Sequence, residues 1–285
     1  MLPALVKLCC GISYPHLRSM AGLQRAAVAV IGQEISHLNT RRPPQVQTHV
    51  QTHTAPSNGE APSEDAPCKK EQSLYEQQGR GAMETALSVI QDRDGWKTEV
   101  TERDGDVICS KVLRGNRRVF KLEAELDATV EQLHHVLFVR VEDMHRWNPS
   151  IQQIRVVRRL GSDTVITHEV SAATAGNLIG QRDFLSVRHS WKHQDTVYLG
   201  GTSVHLEALP PQSGFIRAED GPTCFILEPI GPNRSKFTWL LNLDVKGWLP
   251  KSVVNQALPR AQLDFTRHLR RHLSTGGALQ GEPSR

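Results

Sequence analysis

Two charged residues stand in strand-like segments that are otherwise mostly apolar. Glu169 lies within Thr164–Ala172 and Arg188 within Asp183–Trp191. A buried charge is costly unless it is paired. A carboxylate and a guanidinium paired inside a cavity would hold a ligand hydroxyl, directly or through water. The same pattern fits two solvent-facing strand residues or a structural pair. Strand periodicity, which puts many charges on exposed faces, favours that second reading. Arg182-Asp183, at the start of a strand, reads as a structural clasp.

Other chemistry is scarce. His168-Glu169 begins an HExxH-like string, but Ala172 stands where the second histidine is needed. There is no Walker loop, no GxSxG and no dinucleotide fingerprint. His134 and His135 are adjacent on a helix and cannot face one metal. The five cysteines (Cys9, Cys10, Cys68, Cys109 and Cys224) form no CxxC pair, which argues against zinc and against a disulfide framework. That usage suits a reducing compartment. No cofactor, no metal and no catalytic residue is expected. The net charge of +4, from 34 basic and 30 acidic residues, is too mild to indicate nucleic acid. No stretch reaches the roughly 20 apolar residues of a membrane span.

The elements that must position Glu169 and Arg188 fill the last two thirds of the chain. Ser73 and Glu76 match a capping box that opens a helix near 74–92, stopped by Asp94-Gly95. Segments 96–102 and 106–113 flank the hairpin dipeptide Asp104-Gly105. Residues 118–126 alternate as an amphipathic strand. Thr129 and Gln132 open a second helix to about Met144. Strands are predicted at 151–160, 164–172, 183–192, 195–204, 214–219 with 222–229, and 235–245. A last helix spans 250–273, with a stripe of Val254, Leu258, Ala261, Phe265, Leu269 and His272. Pro259 lies inside it and should kink or divide it. So many consecutive strands with short turns predict a curved antiparallel sheet of about nine strands. With the long helix closing it, this is an α+β helix-grip architecture with a hydrophobic tunnel rather than a solid core.

The last helix is also basic. Arg260, Arg267, Arg270 and Arg271 gather near its end, with Asp264 the acid opposing them. Such a helix suits an anionic membrane, or equally a core cover with cations at its C-terminus. Trp248, Leu258, Pro259, Arg267, Arg270 and Arg271 are therefore the candidate membrane or lid residues.

The first third reads differently. Residues 1–33 hold no Asp or Glu, while Lys7, Arg18 and Arg25 carry charge and Leu17, Leu23, Ala27, Val28 and Ile31 recur near helical spacing. This is the composition of a mitochondrial presequence, placed at 1–38. Residues 39–73 carry Pro43, Pro44, Pro56, Pro62 and Pro67 but no Leu, Ile or aromatic residue. A disordered linker at 39–67 is expected, then a folded domain at 68–278 and a disordered tail at 279–285.

Several strings then resemble one family. They are Trp147-Asn148-Pro149, Ile166–Glu169, Ala175–Leu178, Gln181–Phe184, Arg217–Glu219, Gly221–Cys224 and Lys246–Lys251. Together they are similar to the START lipid-transfer domain, over roughly residues 68–275. One mitochondrial member also shares the features at Lys7-Leu8-Cys9 and Leu17–Gln33. The resemblance implies a monomeric, non-enzymatic carrier holding one cholesterol in a tunnel at the outer mitochondrial membrane. It implies that the carrier promotes transfer to the inner membrane, where pregnenolone is made, and that the import machinery takes it up. It places Glu169 and Arg188 near the sterol hydroxyl, Asn148, Leu199, Thr223 and Phe265 along the cavity, and the last helix as a gate. It does not extend to kinase sites. The linker lacks an Arg-Arg-x-Ser string, and Trp191–Thr196 carries a poor basic-x-Ser/Thr site. The alternative is a helix-grip enzyme, cyclase- or hydrolase-like, acting on a hydrophobic small molecule.

Overall fold

The computed structural model describes residues 69–173 and 180–276. The expected presequence, linker and tail, and the string Ala175–Leu178, lie outside the described residues.

Helix α1 spans Lys69–Gln91. Ser73 is therefore inside the helix rather than its cap, and its hydroxyl accepts from Gln77 Nε2 instead. The capping box at Thr129 does form: Gln132 N donates to Thr129 Oγ1 and Thr129 N to Gln132 Oε1. The helix it opens is short. α2 (Val130–His134) passes into a π turn (His135–Val139), a 3-10 turn (Val141–Asp143) and α3 (Met144–Trp147). One capping box and one apolar stripe do not specify how many residues each turn holds, so this tightening and widening was not expected.

The strands are β1 (Lys97–Thr101), β2 (Val107–Leu113), β3 (Arg117–Leu126), β4 (Ile151–Leu160), β5 (Thr164–Ser171), β6 (Arg182–His193) and β7 (Thr196–Ser203). Then come β8 (Ile216–Arg217), β9 (Glu219–Asp220), β10 (Thr223–Gly231), β11 (Arg234–Leu241) and β12 (Leu243–Asp244). Nine form one antiparallel path, β1-β2-β3-β11-β10-β7-β6-β5-β4. Turn chemistry explains the tight β2–β3 link, where Gly115 and Asn116 take the left-handed backbone that a primed turn requires. The predicted strand 214–219 is instead two pairs of residues. β8 runs parallel to the start of β6, and β9 pairs with β12. Arg217 on β8 reaches Asp183, and that ion pair holds the exception to the antiparallel rule.

Both faces of the sheet are buried, and the period-2 alternation of each strand sorts them. Val119, Cys224 and Leu240 face α1 with Met83 and Ala86. Gly200 permits the approach, since a Cβ there would sit 2.3 Å from Met83 Cβ and 2.8 Å from its Cα. The opposite face carries Phe120, Leu122, Phe184, Leu199, Phe225, Phe237 and Trp239. It is covered by α2 and by the last helix, α4 (Lys251–Ser274), through Leu258, Ala261, Phe265 and Leu269. α4 runs undivided across Pro259, so of the expected kink or division the division does not occur. A proline removes one helical hydrogen bond, and the buried contacts of Leu258, Ala261 and Phe265 on both sides of it keep the axis together.

Candidate functional site

Glu169 and Arg188 fall on the α4-covered face. On β5, Glu169 shares the side of Val165, and on β6, Arg188 shares the side of Phe184, both members of that apolar cluster. Both side chains are buried, with 1% and 5% exposure, so the solvent-facing reading does not hold. Arg188 Nη2 donates to Glu169 Oε2 at 3.1 Å, and Arg188 Nε donates to Thr167 Oγ1 at 2.9 Å. Glu169 Oε1 is buried with no protein partner among the described residues. Burial pushes the Glu169 carboxyl up to about 7, even with Arg188 beside it.

The other predicted wall residues are brought near this pair to differing degrees. Gly201 lies opposite Arg188 on β7 and Thr223 opposite Gly201 on β10, so Thr223 is two strands away on the same face. Its hydroxyl donates to Leu240 O at 2.5 Å, which leaves its oxygen as an acceptor and its methyl for a ligand. Leu199 lies opposite Ser190 and Phe225. Phe265 is fully buried on α4, with ring centroids 5.1 Å from Trp239, 5.4 Å from Trp147 and 6.2 Å from Phe225. Asn148 is fully buried; its Oδ1 accepts from Ser150 N, while Nδ2 has no partner among the described residues. An apolar wall with a few buried, unpartnered polar atoms is what a ligand-binding interior requires.

The lid residues separate into three groups. Leu258 and Pro259 are core residues. Trp248 is 69% exposed, beside the left-handed Lys246 and Gly247. Arg267 and Arg271 are exposed. Arg270 is not available to a surface. It donates to Asp106 at 2.5 and 2.7 Å, to Asp104 at 3.1 Å and to Glu125 O at 2.9 Å. Arg267 reaches Asp264 at 2.6 Å and Glu102 at 3.8 Å. The acids opposing the helix therefore include the β1–β2 hairpin as well as Asp264, a pairing between segments far apart in sequence. A groove of about 310 Å³ opens at the start of α4, lined by Arg117, Val245, Leu249, Val254 and Leu258 among others.

Arg182 and Asp183 each have structural partners elsewhere. Asp183 Oδ2 accepts from Arg217 Nη2 at 2.8 Å and from His168 Nε2 at 2.9 Å. Burial raises the Asp183 carboxyl, but the bonds from Arg217 and His168 hold it below its ordinary value. Arg182 Nε donates to Val245 O at 3.2 Å, tying β6 to the segment before α4. Sequence reasoning passed over Asp220. It lies on β9 in a Glu-Asp-Gly run that reads as an exposed turn, yet it is only 4% exposed. No periodicity on a two-residue strand could have signalled this.

A largely apolar sheet face closed by a long helix, with a buried Glu169–Arg188 ion pair among its few polar groups, is the interior of a lipid-binding protein. The chain belongs to the START-domain family, whose model matches residues 76–278. Among known proteins it is similar to the "Steroidogenic acute regulatory protein, mitochondrial" of Danio rerio, 41% identical over 281 residues and 98% of each chain. It is 44% identical over 282 residues to the protein of that name from Ovis aries, covering 98% of this chain and 99% of that one. Among solved structures, human StAR-related lipid transfer protein 5 shares the fold, with a TM-score of 0.66 and 21% identity, over 72% of this chain and 99% of that one.

Proposed function

We propose that this protein binds one cholesterol molecule between the sheet and α4 and promotes its transfer from the outer to the inner mitochondrial membrane, where it is converted to pregnenolone. The observation that carries this reading is the Glu169–Arg188 pair. It is a buried ion pair on a largely apolar face, with one carboxylate oxygen left without a partner among the described residues. A sterol hydroxyl supplies the missing donor. The apolar body of the sterol then contributes affinity through burial, at about 25 cal/mol per Å². The polar pair sets orientation more than strength. Asn148, Leu199, Thr223 and Phe265 line the sterol, and α4 is the gate.

The acid-free N-terminus and the names of the relatives support a mitochondrial address; the import machinery as partner and a monomeric working form belong to the same proposal. Exposed Trp248, with Arg267 and Arg271, supports contact with the anionic outer membrane surface. Trp248→Ala should weaken sedimentation with anionic vesicles and leave sterol affinity in detergent-free solution unchanged.

The deciding experiment titrates a fluorescent sterol into the wild-type protein, Glu169→Ala and Arg188→Ala, and recovers bound cholesterol for mass spectrometry. Saturable binding of one sterol, weakened in both variants and recovered unchanged, fits the reading. Absence of saturable binding refutes it.

A further inference from the structure

Glu169 is not the only acid buried on the α4-covered face with an unpartnered oxygen. Asp220 is buried to a similar degree, and its Oδ1 has no partner among the described residues. Its other atoms are held firmly. Ser186 Oγ donates to Oδ2 at 2.8 Å, Asp220 N donates to Ser203 Oγ at 2.8 Å, and Thr202 Oγ1 donates to Asp220 O at 3.0 Å. Gly221, the next residue, donates its N–H to Asn242 O at 2.9 Å. A Cβ at Gly221 would lie 2.5 Å from Asn242, so the backbone is fixed closely there.

The register places these groups together. Ser186 lies two residues before Arg188 on β6, on the same side, and directly opposite Thr167 and Ser203. Thr167 in turn accepts from Arg188. Asp220 is thus joined, through Ser186, to the polar floor that holds Glu169 and Arg188. The electrostatics agree: Asp220 opposes ionisation of Glu169, and Arg188 favours ionisation of Asp220. Two buried carboxyl groups share the buried Arg188 guanidinium, which donates to Glu169 and Thr167, and the partly buried Arg117 adds a smaller favourable charge at Asp220. An open carboxyl oxygen accepts when ionised and can also donate when protonated, and a hydroxyl group satisfies it in either state, so two open oxygens call for two hydroxyl partners. Leaving either one bare costs its desolvation.

We infer that Asp220 is a second ligand-hydroxyl acceptor, so that the interior is built for a sterol-class ligand with two hydroxyl groups at its polar end. A monohydroxy sterol engages one carboxylate and leaves a water on the other. The inference rests on the reading of this face as sterol-binding, and extends it to ligand selectivity.

The test is displacement of a fluorescent sterol from the full-length protein by cholesterol and by a panel of sterol diols with the second hydroxyl on the ring system close to the first, with a side-chain diol as the control that should gain nothing. In the wild-type protein at least one ring diol should bind more tightly than cholesterol. In Asp220→Asn that diol should lose about tenfold in affinity while cholesterol changes by less than about twofold, the difference of one charge-assisted hydrogen bond. Ser186→Ala keeps the carboxylate and releases its anchor. It should lower the same diol preference by a smaller factor, and it serves as the test if Asp220→Asn does not give a native circular dichroism spectrum. The inference is overturned if no ring diol outcompetes cholesterol, or if the variant shifts both ligands alike or neither. A wild-type protein that binds no sterol overturns the sterol-binding reading itself.

Discussion

Glu169 should make the protein less stable as pH rises through neutrality. In the folded protein burial raises its carboxyl from 4.5 to about 7. A carboxyl that holds its proton more tightly when folded than when unfolded penalises folding once it must ionise. The penalty is absent below pH 4.5, grows between 4.5 and about 7, and is complete above. At 1.36 kcal/mol per pKa unit the full effect is about 3 kcal/mol. Glu169→Gln keeps the shape and an oxygen for Arg188 but removes the titration. Urea unfolding of both proteins at several values from about pH 5 to about pH 8 isolates the effect. Asp183 and Asp244, whose carboxyls are held low, contribute stability that is lost as pH falls below their ordinary range. They are present in both proteins and cancel in the difference. Asp220, raised by burial, tilts both profiles in the same sense as Glu169, and because the two carboxyls oppose each other's ionisation its coupling to Glu169 adds to the difference. The stability of Glu169→Gln relative to wild type should therefore rise by about 2.5 kcal/mol across that range, since part of the penalty is already present at about pH 5. Parallel profiles, within about 0.5 kcal/mol, would refute the argument that desolvation dominates at this carboxyl.

Other outcomes follow from the same geometry. Arg188→Leu leaves Glu169 buried without its cation and should cost about 3–5 kcal/mol in chemical denaturation, most of it recovered in the Glu169→Leu/Arg188→Leu double variant. Phe265→Ala removes the ring shared by Trp147, Phe225 and Trp239, and should cost about 3–5 kcal/mol in the same assay. Gly200→Ala forces a methyl into Met83 and should lower stability by about 1–3 kcal/mol, with near-ultraviolet circular dichroism reporting the displaced α1. Pro259→Ala restores a helical N–H and should slow both hydrogen exchange in α4 and sterol uptake; unchanged exchange and uptake would exclude a role for Pro259 in opening.

How much of this was legible beforehand depended on the distance over which each feature is specified. Amphipathic β3, the Asp104-Gly105 hairpin, the Thr129 capping box and the α4 stripe are encoded within a few residues, and all of them form. Ser73 misled because a capping box is a local pattern that a longer helix can overrun. The π and 3-10 turns after α2 follow from packing of Val136, Leu137, Phe138 and Val141 into the core. The Arg270–Asp106 bridge joins segments 164 residues apart, beyond any local pattern.

The amino-acid sequence by itself determined the strand-rich α+β plan, the closing helix, the absence of nucleophile and metal signatures, and, through its motifs, the family. Alternation and end signals are properties of neighbouring residues, so they survive without knowledge of the fold. Tertiary structure decided which charges are inside. Glu169 and Arg188 became a buried pair only when β5 and β6 aligned in register beneath α4. Asp220 joined them only because β9 folds back to Ser186 and Ser203. Burial is set by what covers a residue, and at this site the covering elements come from distant parts of the chain.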